Sequence, residues 1–205
     1  YLTKDWMNRN KIKTHNGSEW LTVPVLKKGF LSKKTFEMRI NNTLNWRRKH
    51  FKSLCVNYKN AKYYDYYINI LEKIYLKKWD FLSDLNEYIL KTFLKELNIN
   101  IKFLKASELN FNGKGSELVL NMCKKLDCKK YIFGSQGKNY AIEEDFKKKN
   151  IEIFFQNYNH PTYSQLHNNF ISNLSVVDLF FNVGPKSLEN IAVSYTHLRA
   201  HETDS

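Results

Sequence analysis

Arginine is scarce in this chain. Arg9, Arg39, Arg47, Arg48 and Arg199 are the only arginines among 33 basic residues, so the formal net charge of +13 is a lysine charge. Nucleic-acid readers lean on the bidentate arginine fork, so that charge is weak ground for a nucleic-acid partner. Ala, Gly and Pro are few, while Asn, Ile, Tyr and Phe are abundant. The abundant types share AT-rich codons with lysine, so gene composition accounts for much of the charge. The 3 cysteines, Cys55, Cys123 and Cys128, are an odd number without framework spacing. That excludes a disulfide scaffold and fits reduced thiols in a cytoplasm. No histidine lies near Cys123 and Cys128 in sequence, so a zinc site is not expected there, and no cofactor is expected. No apolar run is long enough for a membrane span, and no secretory signal is visible.

What is present suits a folded domain. Hydrophobic residues make up 42% and aromatic ones 15%, which supports one core over residues 1–192. The organising stretch is 98–155. Apolar runs at 99–104, 130–133 and 151–155 alternate with amphipathic runs at 116–126 and 142–149. This pattern predicts an α/β fold with a parallel βαβαβ sheet core. Its three strands would deliver their carboxyl ends, and the loops 105–115, 134–141 and 156–167, to one edge where ligands of such sheets bind. Those loops carry Gly134, Gln136, Gly137, Lys138, Tyr140 and His160. Two glycines after a strand let a ligand approach the backbone, or simply make a tight turn. His160 is the histidine best placed for proton transfer, although a solvated loop histidine would look the same.

Upstream, Asn16-Gly17 between two strand-like runs predicts a β-hairpin. Alternation puts Arg9 and Lys11 on one face of its first strand, and Asn8 and Asn10 on the other. Such a row is either a solvated surface or a set of donors for an anionic or sugar ligand. A third strand is expected at 36–40, and a basic loop around Gly29 precedes it. Three helices are expected at 44–58, 63–78 and 81–97, forming a layer. On the first, Leu44, Phe51, Leu54, Cys55 and Tyr58 form the inward stripe, with Trp46 and His50 beside it. Asp178 interrupts an apolar helix, so it must find partners or shift its pKa.

Several stretches carry a resemblance. They are Trp6-Met7-Asn8-Arg9-Asn10-Lys11-Ile12, Trp20-Leu21-Thr22-Val23-Pro24-Val25 and Trp46-Arg47-Arg48-Lys49-His50. Leu82-Ser83-Asp84-Leu85-Asn86 and Tyr131-Ile132-Phe133-Gly134-Ser135-Gln136-Gly137-Lys138 with Tyr140 follow, and then the run from Leu174 to Pro185. In this order the chain resembles the WbqC-like family of bacterial proteins. The resemblance implies a place in gene clusters for O-antigen and related surface polysaccharides. It also implies a transferase modifying a nucleotide-linked sugar, with glycine or another activated amino acid as one candidate donor.

On that reading Asn8, Arg9, Lys11, Gly134, Gln136, Gly137, Lys138 and Tyr140 bind substrate. His160, or else His50, acts as base, and Asp178 orients a partner. The alternative is a non-catalytic sugar- or nucleotide-binding module, and nucleic-acid binding is third. The family's opening strand, Gln-Pro loop and following helix are not in the sequence, which suggests a fragment. Residues 193–205 depart in composition and look like a translated sequencing adapter, so they are expected to be non-native, His197 and His201 included.

Overall fold

The computed structural model describes residues 6–26, 34–167 and 169–193. Most of the basic loop around Gly29, and the tail from 194 with His197 and His201, lie outside the described residues. In chain order the elements are β1 (Arg9–Thr14), β2 (Gly17–Thr22), α1 (Trp46–Tyr58), α2 (Tyr64–Leu76) and α3 (Leu82–Glu96). Then come α4 (Gly115–Lys125), β3 (Lys130–Phe133), α5 (Glu143–Lys147), β4 (Glu152–Phe155), α6 (Val176–Val183) and α7 (Ser187–Val193). The fold is mixed α/β. The chain divides into two compact units: residues 1–100 with 160–205, and residues 101–159.

In the first unit β1 and β2 pair antiparallel from Arg9↔Thr22 to Thr14↔Gly17. The turn is therefore His15-Asn16, one position before the expected Asn-Gly pair. Gly17 follows it at φ +115°, a left-handed conformation that glycine adopts without steric penalty. Helix α1 buries Trp46, His50, Leu54 and Tyr58, each four residues from the next and so on one face. This corrects the expected stripe: Leu44 is exposed and His50 is inside. Helix α2 buries Tyr67, Ile68, Leu71 and Ile74, and α3 buries Leu82 and Leu85. These residues share one core with Ile12 of the hairpin and with Phe180 and Phe181 of α6.

Aromatic stacking orders that core. Tyr58 stacks on Phe181 at 4.6 Å, and Tyr67 lies nearly parallel to Phe180 at 4.9 Å. Burying one such ring contributes ~1.5–3 kcal/mol, with ~0.5–1.5 kcal/mol more from the pairing. Helix α6 is buried almost all round, which explains its apolar sequence. Its N-cap is Ser175, whose Oγ accepts the Val177 N–H at 3.3 Å. The strand expected at 36–40 is instead a 3-10 turn, Thr35–Glu37, with single bridges Val25↔Ile40 and Arg39↔Phe81. The turn carries Met38 fully into the core.

In the second unit β3 and β4 pair in parallel, Lys130↔Glu152 through Phe133↔Phe155. Phe133, Phe146, Val119, Cys123 and Ile151 form its core. Only two of the three expected parallel strands are therefore present among the described residues; 99–104 pairs with neither. The cause is local. Helix α3 closes with Asn98 left-handed at φ 54°, Asn98 N–H bonding Lys95 O and Ile99 N–H bonding Leu94 O. This Schellman-type end takes Ile99 into the packing at the end of the helix. Ile101 and Leu104 are left 59% and 45% exposed. Ser116, a natural cap by sequence, sits inside α4 instead, and its Oγ accepts the Ile142 N–H at 2.9 Å.

Candidate functional site

Strand β1 makes the site. Its alternation sends Arg9, Lys11 and Lys13 to one face, but burial divides them: Arg9 and Lys11 are half-buried and Lys13 is 1% exposed. The Arg9 guanidinium lies 4.2 Å from the centre of the Trp20 ring, and the Lys11 ammonium 4.9 Å from it. Trp6 packs beside Trp20 at 4.9 Å and is 54% exposed. Each cation–π contact of this kind contributes ~0.5–1 kcal/mol when exposed, and together they hold two positive charges beside two indoles.

Lys13 enters a buried polar network. Its ammonium donates to Gln165 Oε1 at 3.0 Å, Asn169 O at 2.6 Å and His167 O at 3.3 Å. Its backbone N–H donates to the Tyr58 hydroxyl at 2.9 Å. Tyr58 in turn donates to Asp178 Oδ2 at 2.8 Å, and Tyr163 donates to Asp178 Oδ1 at 2.9 Å. Asp178 is fully buried. Desolvation lifts its carboxyl above the ordinary value, while the two hydroxyls and the Lys13 charge pull it back. Burial likewise lowers Lys13, against the attraction of Asp178. Gln165 also accepts the Ile171 N–H and donates to the Ile171 carbonyl. The network therefore fastens residues 163–167 and 169–171 to the hairpin and α6. Of the two alternatives the sequence left for Asp178, partners or a shifted pKa, the structure has both.

Beneath the hairpin lies a cavity of about 190 Å³. Leu54, Leu71, Ile74, Leu85, Ile89 and Phe93, from α1, α2 and α3, form its apolar wall. Asn8, Arg9, Asn10, His50, Asn86 and Ser175 are the polar residues that line it. Several are already engaged: Asn8 Nδ2 donates to Val23 O, Asn86 Nδ2 donates to Met7 O, Asn10 Oδ1 accepts the Lys11 N–H and Ser175 Oγ the Val177 N–H. The His50 ring packs edge-on between Trp46 at 5.3 Å and Tyr75 at 6.0 Å. Burial pushes its pKa down to about 4, although the Thr22 backbone hydrogen bond and the Glu19 charge raise it. His50 is thus neutral at pH 7. A neutral imidazole carries one donor and one acceptor nitrogen.

The remaining candidates fall in both units. His160, in the first, is half-buried beside Tyr163 and Phe170, with Nδ1 2.9 Å from Pro161 O. In the second unit Gly134, Gln136, Lys138 and Tyr140 are exposed, around the 3-10 helix Ser135–Asn139. Gln136 Oε1 accepts from Asn139. Gly137 is buried, and a Cβ there would collide with Phe133. Its missing side chain makes room for that ring and not for a ligand. Sequence reasoning passed over Asn86 and Ser175 of the cavity and Lys13, Tyr58, Tyr163 and Gln165 of the network. Asn86 and Ser175 had a signal, since both lie in stretches that carry the family resemblance.

This mixed α/β chain, with its cationic–aromatic hairpin over a mostly apolar cavity, belongs to the WbqC-like protein family, whose family model matches residues 1–190. A relative, the uncharacterized protein Rv1507c of Mycobacterium tuberculosis (strain ATCC 25618 / H37Rv), is 31% identical over 189 residues. The match covers 91% of this chain and 81% of the relative. No solved structure gives a significant match. Among the described residues, no helix is long and apolar enough to cross a membrane. Also among them, no three His, Cys, Asp or Glu side chains gather where they could hold a metal ion.

Proposed function

We propose that this protein is a transferase of bacterial surface-polysaccharide biosynthesis that modifies a nucleotide-linked sugar in the cytoplasm, aminoacyl transfer being one form of that reaction. The observation that carries the reading is the hairpin face, where Arg9 and Lys11 stand over Trp20 beside Trp6. Cations suit a diphosphate, and an exposed indole suits a sugar or base ring. In this proposal Arg9 and Lys11 hold phosphate, and Asn8, whose Nδ2 donates to Val23 O, keeps the open end of the hairpin in place. His160 accepts the proton of the attacking amine or hydroxyl. Asp178 acts at one remove: it fixes Tyr163, against which His160 packs. Gly134, Gln136, Lys138 and Tyr140, exposed in the second unit, are proposed as an anion-binding loop of that unit by itself, tested separately by substitution of Lys138.

A non-catalytic sugar- or nucleotide-binding module is the second reading, and His50 favours it. Among the described residues it is the histidine that lines the cavity, yet an imidazole with a pKa near 4 is a weak base at neutral pH. The two readings separate in one experiment. The purified protein is incubated with a nucleotide sugar and an isotopically labelled aminoacyl donor, and the sugar nucleotide is weighed by mass spectrometry. A mass gain that His160→Gln abolishes, with nucleotide-sugar affinity unchanged, supports the transferase. Saturable binding without product supports the module.

A further inference from the structure

We infer that Cys123 and Cys128 are a reversible dithiol–disulfide pair, closed by small disulfides and opened by small thiols, whose closure staples the end of α4 to the start of β3. The inference concerns the second unit alone and stands apart from the transferase reading. The way α4 ends sets the geometry. Asp127 is left-handed at φ 48°, Cys128 N–H bonds Cys123 O at 2.9 Å and Asp127 N–H bonds Lys124 O at 3.2 Å. This is a Schellman end. In such an end the second residue beyond the cap packs on the residue three before it, usually through an apolar contact. Here those two residues are Cys128 and Cys123. The contact is made by two sulfurs, and the two thiols hydrogen-bond one another. Cysteines can bridge only where their side chains converge, and this pair meets that condition. Cys55, in the first unit, bonds the Tyr64 hydroxyl instead.

Burial divides the roles. Cys123 is inside the core of the second unit, and Cys128 is half-buried at its edge. Burial, and then the neighbouring Cys128, pushes the Cys123 thiol up to about 11, so it is protonated at neutral pH and is not the first attacker. Cys128 begins the exchange. It loses its proton, and its thiolate attacks one sulfur of a small disulfide RSSR. A Cys128–SR bond forms and RS⁻ leaves. Cys123 then gives up its proton and attacks the Cys128 sulfur, expelling the second RS⁻. The two cysteine sulfurs are oxidised by two electrons in all, and RSSR is reduced to two RSH, which carry the two protons. Excess RSH runs the sequence backwards. Such a pair stays open in a reducing compartment and closes when the thiol pool is oxidised. Tyr131 of β3 packs against the same core with its ring 4.7 Å from Phe133, so the staple acts on the strand as well as on the helix.

The test uses the 205-residue protein, fully reduced and kept free of air. It is equilibrated with glutathione disulfide at rising ratio to glutathione, blocked with N-ethylmaleimide and weighed by mass spectrometry. The inference expects a product two hydrogens lighter than the dithiol, with Cys55 alone blocked and tryptic peptides joined through Cys123 and Cys128. Excess glutathione should return it to the dithiol. Cys123→Ser should stop the reaction at a glutathione adduct on Cys128, whereas Cys128→Ser should leave Cys123 unmodified. Closing the short loop 123–128 should slow amide exchange at the end of α4 and the start of β3 about tenfold. All three cysteines blocked at every ratio, a wild-type Cys128 adduct that never closes, a disulfide through Cys55, or unchanged exchange in the closed form would each overturn the inference. If a serine variant does not fold, the wild-type masses, joined peptides and exchange still decide.

Discussion

Acid should weaken this protein through His50. The ring is buried in α1, edge-on to Trp46 and Tyr75, with its pKa at about 4 against an ordinary 6.5. Above pH 6.5 it is neutral in both folded and unfolded chains, so the stability it permits is fully present there. Below that value the unfolded chain takes up a proton that the folded one refuses until about pH 4. Stability is therefore lost as the pH falls across the window, by ~3 kcal/mol at its lower end. Urea unfolding of wild type and His50→Phe at both ends of the window measures it. The variant should be less stable at neutral pH by ~1 kcal/mol, having lost the Thr22 hydrogen bond. Its loss on acidification should be smaller than the wild type's by ~3 kcal/mol. The raised carboxyl of Asp178 works in the opposite direction in part of the window, but it is common to both proteins and cancels in the difference. Acid losses that agree to within ~1 kcal/mol would refute a neutral, buried His50.

Further outcomes follow from the network and from the second unit. Lys13→Met removes the ammonium that reaches three oxygens of segment 165–169, at ~3 kcal/mol, whereas Lys49→Met on the exposed side of α1 should stay within ~0.5 kcal/mol. By differential scanning calorimetry the first should lower Tm by ~6–12 °C. Tyr163→Phe takes one donor from Asp178 and should raise its carboxyl further. Because that pKa is above the unfolded value, its contribution falls as pH rises through the window between the two, and the variant should extend that fall to higher pH in urea titrations. Gly137→Ala forces a Cβ into Phe133 and should cost ~1–3 kcal/mol, read as lost amide protection along β3 and β4 by hydrogen exchange.

The hairpin, the helices and the buried carboxylate could be read from sequence because each has a local signature. Asn16-Gly17 marks the hairpin to within one position of its turn, i and i+4 spacing marks α1, and an aspartate within Val176–Val183 stands out chemically. What escaped was set by contacts across the chain. Residues 99–104 have a strand's alternation, but whether they pair depends on how α3 ends, and Asn98 ends it by taking Ile99. Lys13 continues the Arg9 and Lys11 row, so periodicity makes it another solvated lysine. It is buried because Gln165 and two carbonyls, about 150 residues away, meet its ammonium. Gly137 looks like a ligand glycine until Phe133 is seen in its space. The sequence-level site put weight on sheet-edge loops. The cavity instead lies under the hairpin, and His50 reaches it because the buried face of α1 is rotated from the expected stripe.

The central claim, that the hairpin face binds a nucleotide-linked sugar, is tested most directly by photolabelling. A nucleotide sugar carrying a diazirine on the sugar is irradiated with the protein, and labelled peptides are mapped by mass spectrometry. The account predicts label on Trp6–Lys11 and at Trp20, displaced by unlabelled nucleotide sugar and lost in Arg9→Gln/Lys11→Gln. Displaceable label found only outside the hairpin, or label that unlabelled ligand does not displace, would contradict it.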